Sequence, residues 1–307
     1  MRVFIIVFAL LLPVCLLGLN GLSYNSYALM MPDNGFYNNT AGLNGLKNQA
    51  VSFMFHNEGE GMYNLDLAYA RRMLSRRYIL GTHLNYKTSR SYDILDSSGN
   101  KDGSFNYNYI RADLLCASSF YFIDSLNELN YGVRLKMENE KADQYTDTGF
   151  QADIGLQYAF TFFKSKYIDS FQLSTVVENL GKGLGGVDRM RFAGGISSFI
   201  PLVKNIRQML FAVSHVQYFN SLLKENNGQV FSIGYKEDLS TFTSALKDYA
   251  LMISVSYNYI RAIRILGDFS GLEYGINIDS RYFNFGYSCL FNSLSGNNYY
   301  TSLSIKF

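Results

Sequence analysis

Proline, cysteine and histidine are scarce, at three residues each in 307, and the formal charge of +2 comes from 27 basic against 25 acidic side chains. An excess this small and this dispersed argues against a nucleic-acid partner. Cys15 falls in an apolar leader, leaving Cys116 and Cys289. With the scattered His56, His83 and His215 they supply too few ligands for a metal centre, so neither metal nor cofactor is expected. The two cysteines lie in strand-like runs and read as small apolar side chains, with a single disulfide between them left open. After residue 28 no segment approaches the roughly 20 apolar residues of a membrane-spanning helix.

The leader itself is explicit. Met1-Arg2 is a short basic start, Val3 to Leu19 is almost wholly apolar, and Ser26-Tyr27-Ala28 places small residues where a signal peptidase reads. Residues 1–28 are therefore expected to be a secretory signal peptide. A retained helix fits less well, because the run is short, contains Pro13 and turns polar at Asn20. Leu12-Pro13-Val14 also lacks the small residue expected beside a lipidated Cys15.

The rest of the chain carries strand and turn material: 25 Tyr, 24 Phe and 26 Gly, mixed with β-branched residues, Ser and Asn. A period of two recurs throughout. Tyr131, Val133, Leu135 and Met137 alternate with Gly132, Arg134, Lys136 and Glu138, which puts three charges on one face. Ala152, Ile154, Leu156 and Tyr158 oppose Gln151, Asp153, Gly155 and Gln157. Tyr299, Thr301, Leu303, Ile305 and Phe307 oppose Tyr300, Ser302, Ser304 and Lys306.

A soluble sandwich alternates too. Three features favour lipid outside and polar groups inside: the signal peptide; aromatics at strand ends, such as Tyr78 with Tyr86 and Tyr257 with Tyr259; and the last strand. There, Tyr299, Leu303, Ile305 and the terminal Phe307 resemble the signal read by the outer-membrane barrel insertion machinery. Runs near 50–57, 62–72, 77–88, 108–122, 128–140, 148–163, 168–179, 189–201, 207–219, 228–237, 248–265, 270–279, 281–292 and 298–307 give about fourteen strands, an even count that lets a barrel close. The run at 207–219 is the weakest, since Leu210 and Ala212 deny it a polar face. The expected fold is an all-β, transmembrane antiparallel β-barrel over residues 49–307, in the outer membrane of a diderm bacterium and in contact with its lipid.

Residues 29–48 lack strand alternation and read as an N-terminal hatch, or plug, folded into the barrel mouth. Within them, Asn39-Thr40-Ala41-Gly42-Leu43 resembles the Asn-Pro-Ala-Gly-Leu motif that follows the hatch in the long-chain fatty-acid transporter superfamily, specifically its PorV/PorQ-like branch. Thr40 stands in place of the proline. The order of Leu67-Ala68-Tyr69-Ala70-Arg71, Leu80-Gly81, Asp96 to Gly103, Gly132 to Lys136, Asp153-Ile154-Gly155-Leu156, Glu178-Asn179-Leu180-Gly181 and Gly271-Leu272-Glu273-Tyr274 is similar to that family over nearly all of the mature chain. The resemblance implies a fourteen-stranded plugged barrel. It implies either transport of small hydrophobic compounds, such as long-chain fatty acids, or a non-transporting partner that anchors or hands over secreted proteins.

Asn38, Asn39, Ala41 and Gly42 are thus candidates for the hatch and the cargo passage. Arg111, Asp113, Arg134, Lys136, Glu138, Asp153, Glu178 and Glu273 fall on inward faces, where mixed signs would pair with each other or with water and could hold the plug. Gly181 to Gly186 has the glycine content of a phosphate loop, but another strand follows where a helix is needed. No nucleophile motif accompanies any histidine, so no catalytic residue is expected. N-terminal sequencing of the protein from a membrane fraction should begin at Leu29; a start at Met1 would sink the signal-peptide reading.

Overall fold

Strands form here because aromatic and β-branched side chains stand well on a pleated surface, and they join into one sheet because lipid offers unpaired amides no partner. The computed structural model describes residues 36, 39–57, 62–73, 78–90, 92–95, 99, 101–121, 127–142, 145–161, 170–184, 190–203, 206–218, 227–261, 269–292 and 296–307. The expected signal peptide and Asn38 lie outside the described residues. The strands are β1 (Gln49–Asn57), β2 (Met62–Arg72), β3 (Tyr78–Ser89), β4 (Tyr92–Leu95), β5 (Lys101–Phe105), β6 (Tyr107–Tyr121), β7 (Asn127–Ala142) and β8 (Tyr145–Thr161). They continue with β9 (Ser170–Lys182), β10 (Arg191–Val203), β11 (Arg207–Tyr218), β12 (Asn227–Asp238), β13 (Tyr249–Arg261), β14 (Phe269–Ser280), β15 (Phe283–Asn292) and β16 (Gly296–Lys306).

Fourteen of these make a closed antiparallel barrel in which each strand pairs with its neighbour in sequence, apart from β4 and β5, which form a separate hairpin between β3 and β6. The barrel shuts where β1 meets β16, in register from Ala50↔Lys306 to Asn57↔Tyr299. Inside that seam Ser304 Oγ bonds Ser52 Oγ at 2.8 Å. Closure removes every sheet edge, and the even number of strands brings Gln49 and Lys306 to the same end of the barrel.

The alternation resolves into an apolar outside and a polar inside. Leu135 and Ile154 are 54% and 48% exposed, while their inward neighbours Arg134 and Asp153 are 1% and 2% exposed. Tyr299, Leu303, Ile305 and Phe307 all face outward. A surface so rich in exposed Leu, Ile, Phe and Tyr is stable against hydrocarbon, not water.

The weak run at 207–219 is strand β11, and its blurred pattern has a cause. Leu210 and Ala212 face inward and pack with Met252 of β13 and the partly buried Phe199 of β10, making an apolar patch on the lumen wall. Cys116 on β6 and Cys289 on β15 are both free thiols. Four strands separate them around the barrel, far beyond disulfide reach.

Replacing outward Leu135 by Arg puts a charge into the hydrocarbon and should cost about 2–4 kcal/mol if the position lies near mid-bilayer. Folding titrations in lipid vesicles measure this. An unchanged stability would contradict the outward assignment of that face.

Candidate functional site: the hatch on the inner wall

The longest described non-strand segment inside the barrel includes Phe36 and Thr40–Gly45, a 3-10 helix. Its shape is dictated by Asn39. The Asn39 side-chain oxygen accepts from the Ala41 amide at 3.1 Å, and its backbone carbonyl accepts from the Gly42 amide at 2.8 Å. A capped first turn of this kind tolerates proline at its start but does not require it, which explains how Thr40 serves there.

The same asparagine ties the turn to the wall. Asn39 Nδ2 donates to the carbonyls of Leu156 on β8, at 3.2 Å, and Thr175 on β9, at 3.5 Å. So close an approach needs a wall without side chains, and two glycines in register supply it: Gly132 of β7 sits opposite Gly155 of β8. A Cβ on Gly155 would lie 2.0 Å from Asn39 Oδ1, and one on Gly132 would lie 2.6 Å from the Ala41 nitrogen and the Thr40 carbonyl carbon. Ala41 and Gly42 are buried in this seat.

Further ties hold the rest of the segment. Asn44 Nδ2 donates to Ser118 O at 2.6 Å, Arg134 Nη2 donates to Phe36 O at 2.6 Å, and Arg72 donates from Nε to Leu46 O at 2.9 Å and from Nη2 to Asn44 O at 2.7 Å. Phe36, Leu43 and Leu46 pack on Ala50, Ala68, Ala70, Ile79, Leu115 and Ala117. Burial of each large apolar side chain contributes about 1.5–3 kcal/mol, so these anchors outweigh any single hydrogen bond at about 1 kcal/mol.

Beside the hatch runs a buried chain of charges. His83 on β3 is clasped between two carboxylates, with Nε2 at 2.7 Å from Asp66 and Nδ1 at 2.7 Å from Asp113. A neutral ring donates from one nitrogen and a protonated ring from both. Asp113 also meets Arg111 at 3.2 Å and Arg134 at 3.9 Å, and Arg134 continues to Asp153 at 3.9 Å. Lys136 completes the run, 2.6 Å from Asp153 and 2.7 Å from Asn179 Oδ1.

Asp153 marks a break in the ladder. The β8–β9 register shifts between Ala152 and Ile154, so that Glu178 and Asn179 together oppose Asp153, a β-bulge. Asn179 takes φ 60°, a left-handed conformation Asn adopts more readily than most residues, and Gly181 takes φ 126°. The bulge frees the Asn179 amide from the ladder, and Asp153 Oδ1 accepts it at 2.8 Å. Lumen charge and strand irregularity are thus one feature.

Of the residues singled out from sequence, Asn39, Ala41 and Gly42 come together with Arg134, while Asn38 lies outside the described residues. Arg111, Asp113, Arg134, Lys136 and Asp153 form one connected chain. Glu138 accepts from Tyr109 Oη at 3.1 Å, Glu178 pairs with Arg191, and Glu273 is buried on β14. Asn39 reaches main-chain carbonyls, and the Arg134–Phe36 bond links the hatch to the charged chain. Sequence reading missed Asp66, Arg72, Arg191 and the glycine seat. Asp66 shares its face with Ala68 and Ala70 and alternates with Leu65, Leu67 and Tyr69, a period-two signal that would have found it.

The fold and this interior place the chain among plugged, closed antiparallel barrels. No family model and no curated protein matches its sequence. Solved structures do match in fold. The monoaromatic hydrocarbon channel CymD is 9% identical, over 94% of this chain and 98% of that one, with a TM-score of 0.54. A deltaS2 mutant of the monoaromatic hydrocarbon channel TodX is 10% identical over 94% and 97%, TM-score 0.53. CdiB from Escherichia coli is 8% identical over 85% of this chain and 63% of its own, TM-score 0.51.

Gly155→Val drives a side chain into Asn39 and should unseat the hatch. Hydrogen exchange of the amides at residues 41–46 should quicken at least about tenfold, the equivalent of about 1.4 kcal/mol, while outward Leu156→Val leaves it unchanged. Equal protection in both variants would show that the glycine is not the seat.

Proposed function

We propose that this chain is a passive outer-membrane channel for small hydrophobic compounds, built as members of the long-chain fatty-acid transporter superfamily are, with residues 29–48 as a displaceable hatch. The observation that carries this reading is the seating of Phe36 and Thr40–Gly45 on the inner wall by local, reversible contacts: a capped turn on two glycines, a few hydrogen bonds and three apolar anchors. A plug so attached blocks the lumen when seated and opens a path when it moves, without disturbing the barrel's own ladder.

The chemistry of the wall supports apolar cargo. Ile79, Leu115 and Ala117 on one side and Leu210, Ala212 and Met252 on the other are inward-facing apolar groups among the polar side chains of the lumen wall. Hydrophobic ligands favour such surfaces, with a few polar groups fixing their orientation. The fold likeness to CymD and TodX, both described as monoaromatic hydrocarbon channels, is in keeping with this. The expected leader, the expected insertion signal at Phe307 and the apolar exterior are in keeping with an outer-membrane location.

A second reading has one specific observation behind it. The inner wall is also lined by buried Ser214, Ser232, Ser254, Ser256, Ser288 and Ser302, small hydroxyls that offer an apolar solute little. That lining favours a PorV/PorQ-like barrel which carries no small-molecule cargo and serves secreted proteins at its surface.

Uptake of labelled long-chain fatty acid and of a monoaromatic hydrocarbon into proteoliposomes separates the two. The channel reading expects measurable uptake that rises several-fold in Gly155→Val and in a chain lacking residues 29–48. Uptake by none of the three, together with co-purification of a secreted protein, would overturn it.

A further inference from the structure

At the end of the barrel where β1 begins, the outward rows of β16, β1 and β2 finish side by side. Phe307 follows Ile305, Gln49 precedes Val51, and Arg71 follows Tyr69, with Gln49 paired to Arg71 and its carbonyl accepting from the Phe307 amide at 3.0 Å. Tyr69, Leu67, Phe53, Leu303 and Ile305 are exposed members of the apolar band. Arg71 lies two residues beyond Tyr69 on the same face, about 7 Å further along the strand. That is the level at which a band of hydrocarbon-facing residues gives way to lipid headgroups.

A cleft of about 600 Å³ opens at this level, bordered by Lys47, Gln49, Arg71, Arg72 and Phe307, and no Asp or Glu lines it among the described residues. Arg72 points inward and spends its guanidinium on the hatch carbonyls of Leu46 and Asn44. Lys47 and Arg71 are exposed, and neither has an ion-pair partner among the described residues. Two other cations at the same end are matched, Arg207 with Glu237 at 2.9 Å and Lys306 with Asp279, while Lys247 and Arg281, which have no ion-pair partner among the described residues, do not line this cleft. Two unmatched cations therefore flank one cleft at the edge of the apolar band.

We propose that this cleft binds the phosphodiester of an anionic phospholipid, with Lys47 and Arg71 on the phosphate and the acyl chains along Tyr69 and Ile305. The lipid class follows from the geometry. Lys47 and Arg71 complement a phosphodiester and disfavour a cationic choline beside it, and only a lipid also uses the apolar wall below. Lys47 belongs to the segment joining hatch to barrel, and Arg71 adjoins the arginine that holds the hatch. The bound phosphate thus bridges the hatch tether and the wall. This inference needs the apolar band to lie in lipid, and it is independent of whether any solute crosses the lumen.

Native mass spectrometry of the full mature chain released from micelles, with phosphatidylglycerol and phosphatidylcholine of the same acyl chains, tests it. The phosphatidylglycerol adduct should exceed the phosphatidylcholine adduct. It should weaken about thirty-fold in the double variant Lys47→Gln/Arg71→Gln. Arg281→Gln, an exposed cation at another turn of the same end, should retain it. Equal adducts of the two lipids, or an undiminished adduct in the double variant, would overturn the proposal. Displacement of the lipid by millimolar inorganic phosphate would also overturn it, because the anion alone would then account for the site. Correct folding of each variant is read from its heat-modifiable mobility, so that a lost adduct cannot be confused with a lost barrel.

Discussion

Every part of this molecule answers to one constraint: a backbone amide or carbonyl in hydrocarbon must find its partner within the protein. Each orphaned group costs several kcal/mol, and an open sheet would expose a whole row of them at each edge. The β1–β16 seam, eight residue pairs from Ala50 to Asn57, removes those edges. Once closure is imposed, the direction of every side chain follows from the pleat, and a one-residue slip anywhere would turn Leu135 inward and Arg134 into lipid. The polar lumen is then a consequence. Positions that cannot face lipid collect the charges and hydroxyls, and these must satisfy one another.

The hatch meets the same constraint from inside. A non-strand segment in the lumen brings its own amides and carbonyls, and the structure pairs them with the wall: Asn39 caps the turn and reaches two strand carbonyls, while Arg72, Arg134 and Ser118 engage Leu46, Asn44 and Phe36. Arg134 has a double role, because it also lies between Asp113 and Asp153. The chain of charges is therefore the frame on which one end of the hatch is hung.

How far the sequence displays this structure depends on whether a feature leaves a periodic trace. The strands do, because lipid on one side and polar lumen on the other impose opposite chemistry on successive residues; β7 and β16 show it residue by residue. Where the lumen wall turns apolar, as at Leu210 and Ala212, the contrast vanishes and β11 fades from the pattern. The β4–β5 hairpin was legible only as turn composition, since it stands apart from the barrel and has no inside and outside to alternate between. Inward charges were legible as a set but not as a circuit: which strands adjoin decides that Arg134 meets Asp113 and Asp153. The glycine seat left the least trace, because Gly132 and Gly155 reveal their purpose only when β7 and β8 are placed in register.

The bulge at Asp153 shows how these levels depend on one another. An extra residue in β9 would leave a bare amide at Asn179, so Asp153 turns its carboxylate to that amide; a buried carboxylate then needs a cation, and Lys136 on the neighbouring strand supplies it. Lys136 also bonds the side chain of Asn179, whose left-handed backbone makes the bulge possible. Four groups on three strands thus justify one another. The irregularity falls in the same pair of strands, β8 and β9, whose carbonyls Asn39 grips at Leu156 and Thr175. The hatch is therefore fastened three residues from a β-bulge, on the same pair of strands.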